Sequence, residues 1–257
     1  MTRARRDSSA GELARRWLVR HVYANHNDSR AVRDALSRCL ASIGGNERAL
    51  NVGAGTHRVA RNVTNVDIER NEAIDVCCSG DSLPFASGSF ALVLSQETLE
   101  HVANPNAVLA EMCRVLKPGG MLYCQVPFII GWHPCPSDYW RFSREGLQQI
   151  VNAHGFVCEE IGMAVGPATA LYRIAVEFVG ITVAGVWHRL YLPAKGCAAA
   201  LLYPLKLLDG LYRRNRRADR LGAGYYIIGR KFASAVDIPI PADVPMLSAS
   251  QARCNDS

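Results

Sequence analysis

The 257-residue chain lacks the sequence marks of several common protein classes. It has no Gly-Lys-Ser or Gly-Lys-Thr phosphate loop, which excludes a P-loop nucleotide site. Its nine cysteines include no Cys-x-x-Cys pair, and such an odd, dispersed set is typical of a reducing compartment. The amino terminus carries arginines without an apolar run behind them, so the sequence predicts no signal peptide and a cytoplasmic protein.

A short glycine-rich segment follows the first strand-like apolar run. Residues 49–56 read Ala-Leu-Asn-Val-Gly-Ala-Gly-Thr, which predicts a buried strand that turns sharply at Gly53 and Gly55. Asp67 closes the next short strand, where its carboxylate could accept both hydroxyls of a ribose. A dinucleotide fingerprint requires a third glycine where Arg58 stands, and an acid further along the chain. The sequence therefore predicts a site for an adenosine derivative without a pyrophosphate.

Four further blocks follow this loop in order. They read Asp-Ser-Leu-Pro-Phe at 81–85, Ser-Phe-Ala-Leu-Val-Leu-Ser at 89–95, Leu-Glu-His-Val at 99–102 and Arg-Val-Leu-Lys-Pro-Gly-Gly at 114–120. Together with the glycine loop, they resemble the type 11 methyltransferase domain of the class I S-adenosylmethionine-dependent methyltransferases. The resemblance is strong over residues 40–128 and looser as far as residue 154. It implies that the cofactor is S-adenosyl-L-methionine.

Strand patterns alternate with helical patterns along the chain, which predicts an α/β fold with a doubly wound parallel sheet. The resemblance implies a Rossmann-like sheet of seven strands with helices on both faces and an antiparallel last strand beside the sixth. We expect a single methyltransferase domain at 12–235, with N-terminal helices at 12–45, a cofactor-binding core at 46–163, an apolar helical insertion at 164–221 and the final strand at 224–231. Residues 12–40 should cover the cofactor's edge or the substrate mouth, and 1–11 and 236–257 should be disordered tails.

The expected cofactor site lies at the carboxyl ends of the strands, where open parallel sheets bind ligands. Asp81 follows the third strand, where a carboxylate or backbone amide could read the adenine amino group. Asn51 stands where many relatives carry an acid, and its amide could still bridge the backbone and the methionine amino group. The short link from Gly55 to Asp67 leaves little room for a full helix. The expected contacts are Asn51, Gly53, Ala54, Gly55, Asp67, Ile68, Asp81, Ser82, Leu83, Ser95 and Gln96.

Residues 127–142, beyond the fifth strand, combine three prolines with aromatic and charged side chains. This composition predicts a shaped loop that binds the methyl acceptor. We expect His133 to act as general base, with Asp138 orienting it or holding an acceptor hydroxyl. The expected substrate contacts are Trp132, Tyr139, Trp140 and Arg141. In the alternative, Asp138 and Arg141 pair with each other to fix the loop, and the aromatic residues belong to the core.

Three residues after the fourth strand could imitate a metal site. Glu97, Glu100 and His101 are close in sequence, but no second cluster supports them, and spacing alone rarely makes a site. We therefore expect no metal, and we expect His101 to pack beneath the cofactor.

Residues 164–221 are unusually apolar, yet no run in them reaches the roughly twenty residues that span a bilayer. One interpretation is a lid or a homodimer surface. The other is a peripheral membrane contact or a site for a lipid-linked acceptor, because the basic run at 213–217 attracts anionic headgroups. Nucleic acid is an unlikely partner, since the basic run lacks interleaved aromatic residues.

The sequence predicts an enzyme that transfers a methyl group from S-adenosylmethionine to an oxygen of a small molecule or sugar, with a glycan or lipid-linked acceptor as candidates. Two alternatives stay open. The target atom could be nitrogen or carbon, or the chain could be a non-catalytic partner subunit with a methyltransferase fold.

Overall fold

The computed structural model describes residues 29–212 and 215–233. The expected disordered tails at 1–11 and 236–257 lie outside these ranges, as does the start of the expected N-terminal helical segment. Within them the first element is helix α1, Arg30–Ser42, whose N-cap Ser29 accepts a hydrogen bond from the Val32 amide at 3.1 Å.

Seven strands form one sheet in the order β3-β2-β1-β4-β5-β7-β6. The first five strands run parallel, and β7 is antiparallel to both β5 and β6, between which it lies. This arrangement confirms the predicted doubly wound sheet with an antiparallel last strand. The strands are β1 Ala49–Val52, β2 Val63–Asp67, β3 Val76–Cys77, β4 Phe90–Gln96, β5 Leu116–Pro127, β6 Phe156–Val165 and β7 Gly224–Lys231.

The helices that connect the strands begin at recognisable capping signals. Helix α2, Pro105–Val115, follows Asn104, whose side chain accepts from the Ala107 amide, and begins with proline at its first turn. Helix α3, Arg144–Ala153, is capped by Ser143. The described segment between β1 and β2 contains turns and no helix, in agreement with the short link in the sequence.

The sheet has an apolar core on each face. One core joins strands β1, β4, β5 and β7 to α2 and α3, with Leu109, Met112 and Leu147 among its buried residues. The other places Val32 and Cys39 of α1 against the opposite face. The described part of residues 12–40 therefore packs on a face of the sheet, and that this segment also covers the cofactor edge or the substrate mouth stays a prediction.

The predicted insertion between β6 and β7 is helical, although its first two residues, Ala164 and Val165, belong to β6. Helix α4, Pro167–Ala184, packs against α5, Tyr191–Leu202, around a small core that includes Tyr172, Val176 and Ala199. The remaining elements are the 3₁₀ helices His188–Leu190, Tyr203–Leu208 and Arg216–Leu221 and the short helix α6, Asp209–Tyr212. By length and composition α4 could cross a membrane, and 39% of its apolar window is buried in the structure.

Candidate functional site

The carboxyl ends of β1, β2 and β4 lie side by side. Val52, at the end of β1, is in register with Val66 of β2 and with Ser95 of β4. This register brings the glycine loop, Asp67 and the residues after β4 to one edge of the sheet. The fold therefore gathers the predicted cofactor residues where an open parallel sheet binds its ligand.

The glycine loop needs glycine at Gly53 for two reasons. Its φ of +71° lies in the left-handed region, and an added Cβ would come within 2.2 Å of the Thr98 Oγ1 atom. The Gly53 and Ala54 amides both donate to the Val66 carbonyl, at 3.0 and 3.1 Å. Because these bonds tie the loop to the end of β2, the loop is held close to Asp67.

The Asp67 carboxylate already accepts two backbone hydrogen bonds. Its Oδ2 accepts from the Gly55 amide at 2.8 Å, and its Oδ1 accepts from the Glu69 amide at 2.9 Å. An ionised carboxylate offers about four lone-pair positions, so two remain for hydroxyl donors such as those of a ribose. Beyond it, Ile68 is 66% exposed and could cover one face of a base.

The other expected cofactor contacts divide into an exposed group and a buried group. Asp81 and Ser82 are exposed on the turn after β3, and Gln96 is half-buried at the end of β4. Leu83 is buried, and its amide donates to Glu111 at 2.8 Å. Ser95 is fully buried, and its hydroxyl has no hydrogen-bond partner among the described residues. A hydroxyl left this way beside the glycine loop is consistent with a polar ligand there.

Asn51 does not face the open edge. It is only 3% exposed, and its side-chain amide donates to the Asn65 side-chain oxygen at 3.3 Å. Asn65 in turn donates to the carbonyls of His57 and Ala73. The structure therefore gives Asn51 a place in a buried amide pair that stabilises β1 against β2, and it does not open its side chain to a ligand.

Two acidic side chains follow β4 directly. Glu97 has a left-handed backbone with φ of +53°, which is uncommon outside glycine and often marks a functional position. The Gln125 side-chain amide donates to its carboxylate at 3.0 Å, yet burial raises the pKa of Glu97 to about 7. Glu100 is fully buried with no hydrogen-bond partner for either carboxyl oxygen among the described residues. Burial and the nearby Glu97 raise the Glu100 pKa well above its usual value, which favours the neutral form of this group.

The acceptor loop places His133 beside Asp138 and Arg141. The Asp138 carboxylate, 1% exposed, pairs with both terminal nitrogens of Arg141 at 2.5 and 2.7 Å and accepts the His133 backbone amide at 2.8 Å. The Arg141 guanidinium holds the Asp138 pKa far below its usual range. The pairing of Asp138 with Arg141 thus matches the structural alternative, while its Oδ2 also lies 3.5 Å from His133 Nδ1.

The His133 ring has one nitrogen available as a base. Its Nδ1 lies 3.0 Å from the Gly131 carbonyl, which favours an Nδ1 proton and leaves the lone pair on Nε2. Burial lowers the His133 pKa below 6.5, so the ring is neutral at pH 7. His133 Nε2 lies 4.0 Å from Glu100 Oε1, and His101 Nε2 lies 3.6 Å from the same oxygen. The possible ligand atoms of Glu100, His101 and His133 lie within 4.8 Å of one another, so the three could also hold a cation.

The loop is fixed to the segment after β4. The Tyr139 and Trp140 amides donate to the Glu100 carbonyl at 2.7 and 3.3 Å, and the Trp140 indole donates to the Val102 carbonyl at 3.0 Å. Trp140 therefore positions the loop. Trp132 is 79% exposed, and Tyr139 is also exposed.

A cavity of about 720 Å³ lies between this loop and the helical insertion. Trp132 and His133 line one side, and α4 and α5 line the other with Ile174, Phe178 and Lys195. Its walls are mainly apolar with a few charged groups, as is typical of a small-molecule site. The insertion therefore forms part of the wall of the site that contains His133.

Residues 31–124 match the family described as "Methyltransferase domain". Over these residues the chain is similar to the class I S-adenosylmethionine-dependent methyltransferases. The domain's matched part ends within β5, so the acceptor loop and the insertion lie outside it.

Relatives of this methyltransferase domain differ in their named reactions. A ubiquinone biosynthesis O-methyltransferase of Thiobacillus denitrificans is 26% identical over 165 residues, which cover 55% of this chain and 68% of that protein. Against the first curated relatives, the match spans a third or less of their length. The solved 1,6-didemethyltoxoflavin-N1-methyltransferase of Burkholderia thailandensis is 16% identical with a TM-score of 0.50, covering 90% of this chain and 92% of its own. The [4+2]-cyclase SpnF has a TM-score of 0.50 at 20% identity and covers 82% of this chain and 85% of its own. These structures share the fold.

Sequence reasoning did not find the buried acid pair as part of the site. The position of Glu97 directly after a buried parallel strand predicts that it lies at the ligand edge, but nothing in the sequence indicates that it pairs there with Glu100, and both acids are otherwise expected only to imitate a metal site. The approach of His133 to Glu100 could not be read from the sequence, because the acceptor loop that creates it has no regular pattern.

Proposed function

We propose that this methyltransferase domain transfers a methyl group from S-adenosylmethionine to an oxygen of a small molecule or sugar. The observation that carries the proposal is the neutral imidazole of His133 on the wall of the acceptor cavity. A hydroxyl acceptor must lose its proton during methylation, and a neutral imidazole at pH 7 is suited to take it. The O-methyltransferase named among the relatives agrees with this choice, while the N-methyltransferase and the cyclase show that the fold alone does not determine the reaction.

The residues at the sheet edge fit the cofactor. Gly53 lets the backbone turn sharply, Asp67 keeps free acceptor positions for ribose hydroxyls, and the buried Ser95 hydroxyl lacks a partner among the described residues. When bound, the cofactor supplies a methyl group already activated by its sulfonium sulfur. The task of the chain is therefore to hold the acceptor in line and to remove its proton.

In the proposed reaction, His133 Nε2 would take the proton of the acceptor hydroxyl. The bound cofactor would supply the methyl group, whose bond to sulfur would break as the bond to the acceptor oxygen forms. Asp138 and Arg141 position His133, because Asp138 fixes its backbone amide and the Arg141 side chain fixes Asp138. Burial raises the pKa of the neighbouring Glu100 carboxyl and so favours its neutral form beside His133. The domain boundaries, with residues 12–235 as one unit, remain part of the same proposal.

The test is methyl transfer itself. The purified protein is incubated with S-adenosylmethionine and a panel of hydroxylated acceptors that includes phenols, free sugars and lipid-linked sugars. We expect S-adenosylhomocysteine to accumulate with one acceptor class, together with a product whose new methyl group is on oxygen. A product methylated on nitrogen or carbon would show that the acceptor atom is not oxygen. Cofactor binding without any turnover would support the alternative of a non-catalytic partner subunit.

A further inference from the structure

The positive charge of the protein is concentrated in the helical insertion. Residues 164–221 contain nine lysines and arginines and only three acidic residues, and this surplus of six equals the formal net charge of +6 of the whole chain. The rest of the chain is therefore balanced. One of the acids, Glu177, is already paired with Lys195 at 2.6 Å. A surface of this charge attracts anionic partners.

The same insertion carries most of the exposed large apolar side chains. Fourteen of the nineteen such residues in the described part of the chain lie between Leu171 and Leu221. On α4, Leu171, Ile174, Phe178 and Ile181 are spaced by three or four residues and are 44 to 68% exposed, so they form one stripe on the helix. We call these four residues the α4 stripe. The opposite face of α4 packs on α5, so the stripe is not needed for the insertion's own core.

The turn after α4 and the 3₁₀ helix before α6 extend the exposed apolar surface. Trp187 is 64% exposed at the tip of the α4–α5 hairpin, and Leu207 is 70% exposed. Tryptophan with leucine beside arginine and lysine is the composition of segments that lie in the interface of a membrane.

The α4 stripe also borders the acceptor cavity. Ile174, Phe178 and Ile181 line the cavity that contains His133, and Ile174 also lines a second, mainly apolar cavity of about 350 Å³ beneath the insertion. Arg217 lies at the wall of the second cavity. A molecule that leaves a lipid surface at the stripe would therefore reach the cavity of His133 along apolar side chains.

We propose that the helical insertion docks on an anionic membrane surface, with the α4 stripe and Trp187 in the lipid interface and the basic residues on the headgroups. The distribution of charge favours a membrane over a second copy of the chain as the partner of this surface. A symmetric dimer through the insertion would bring two surfaces of the same positive charge together, which opposes association. An anionic surface instead complements it.

The docking extends the proposed function to the acceptor. Docking on a membrane predicts an amphipathic acceptor with a hydroxyl-bearing head and an apolar tail. This prediction of the acceptor rests on the proposed methyl transfer. The docking itself does not, because the surface is separate from the glycine loop and Asp67.

The test is cosedimentation of the full chain with vesicles, in the absence of any acceptor. We expect binding to vesicles of phosphatidylcholine mixed with phosphatidylglycerol and little binding to phosphatidylcholine alone. Binding should weaken as salt is raised, since surface charges are screened. Each neutralised arginine near the surface should weaken binding about fivefold. The double variant Arg217→Gln with Arg220→Gln, at two exposed arginines of the insertion, should therefore bind roughly 25-fold more weakly, whereas Arg30→Gln with Arg33→Gln, which removes equal charge from α1, should bind as the parent does.

A second variant and its control test the contribution of the apolar side chains to vesicle binding. Phe178→Gln with Ile181→Gln should abolish most vesicle binding, while Val157→Gln, at an exposed apolar residue of β6, should not. Affinity for S-adenosylhomocysteine, which should be unchanged in all variants, verifies that each one is folded.

Absence of binding to anionic vesicles at low salt would overturn the proposal. If the protein were then a dimer that the Phe178 and Ile181 changes dissociate, the surface would be a subunit interface, and if it were a monomer, the insertion would be a lid. Vesicle binding without methyl transfer would leave the docking intact and reject only the proposed reaction.

Discussion

At the scale of single residues, burial decides which ionisable groups at the site are charged. Glu97, Glu100 and His133 lie within one small region, and burial shifts all three toward their neutral forms. Asp138 in the same region stays ionised because Arg141 pairs with it. The site therefore offers at pH 7 a neutral imidazole, an ionised Asp138 and a Glu97 carboxyl close to its own pKa of about 7.

Asp67 is the residue whose loss should affect the cofactor most directly. Asp67→Ala should weaken binding of S-adenosylhomocysteine by several fold to about a hundredfold, since hydrogen bonds to a charged group contribute about 1.5 to 3 kcal/mol. Calorimetric titration measures the change. The neighbouring exposed acid supplies the control, because Glu69→Ala removes the same charge without touching the predicted ribose position. Equal affinity in both variants and the parent would remove Asp67 from the site.

His133 should control turnover and its pH dependence. His133→Ala should lower turnover by about 10² to 10⁴-fold with cofactor affinity unchanged. Because the His133 pKa is lowered from 6.5, the parent's rate should fall only as the pH drops below 6.5, and the variant should lose this limb. Turnover in the presence of a chelator is the control that separates a base from a cation ligand, and strong inhibition by the chelator would assign Glu100, His101 and His133 to a metal instead.

Replacing Glu97 with a neutral residue should stabilise the folded protein at alkaline pH. The folded Glu97 pKa of about 7 is above the unfolded value of 4.5, so the contribution of its proton to stability is present at low pH and is lost as the pH rises through 7. Glu97→Gln should therefore increase the free energy of unfolding at pH 8 by about 1 to 3 kcal/mol and change it little at pH 4. Denaturant titrations at the two pH values measure this. The same gain at both would show that the charge of Glu97 is not the cause.

At the scale of elements, the acceptor loop depends on one buried ion pair. Asp138→Asn leaves the Arg141 guanidinium without its partner and should reduce the free energy of unfolding at pH 7 by about 3 kcal/mol. Since the folded Asp138 pKa is lowered, the difference between parent and variant should shrink as the pH falls below about 4. Thermal melts at pH 7 and pH 3 measure both effects. A difference that does not depend on pH would contradict an electrostatic role for the pair.

The elements themselves followed from local signals in most places. The sequence predicts the final strand at 224–231, and the structure confirms it as Gly224–Lys231; the helix caps Asn104 and Ser143 are residue types that favour this position. The position of α1 could not be predicted, because an apolar stripe on a helix does not specify the face of the sheet on which the helix packs. Asn51 was placed in the predicted site by its position in the motif, but its partner Asn65 lies on another strand and is seen only in three dimensions.

At the scale of the whole molecule, different parts of the chain form the cofactor site and the acceptor cavity. The first four strands of the sheet present the glycine loop and Asp67, while the acceptor loop and the insertion build a cavity of about 720 Å³ at the other side of the site. Seven strands with an antiparallel last strand beside the sixth could be predicted, because the ordered motif blocks resemble a family with that sheet. The acceptor cavity could not, since it depends on how α4 folds back over the loop, and no motif encodes that contact.

The central claim is that the sheet edge is a working S-adenosylmethionine site. Calorimetric titration of the full-length protein with S-adenosylmethionine and with S-adenosylhomocysteine tests it most directly. We expect both compounds to bind with one site per chain and with micromolar dissociation constants. Absence of binding for both compounds would contradict it and would favour a non-catalytic protein with a methyltransferase fold.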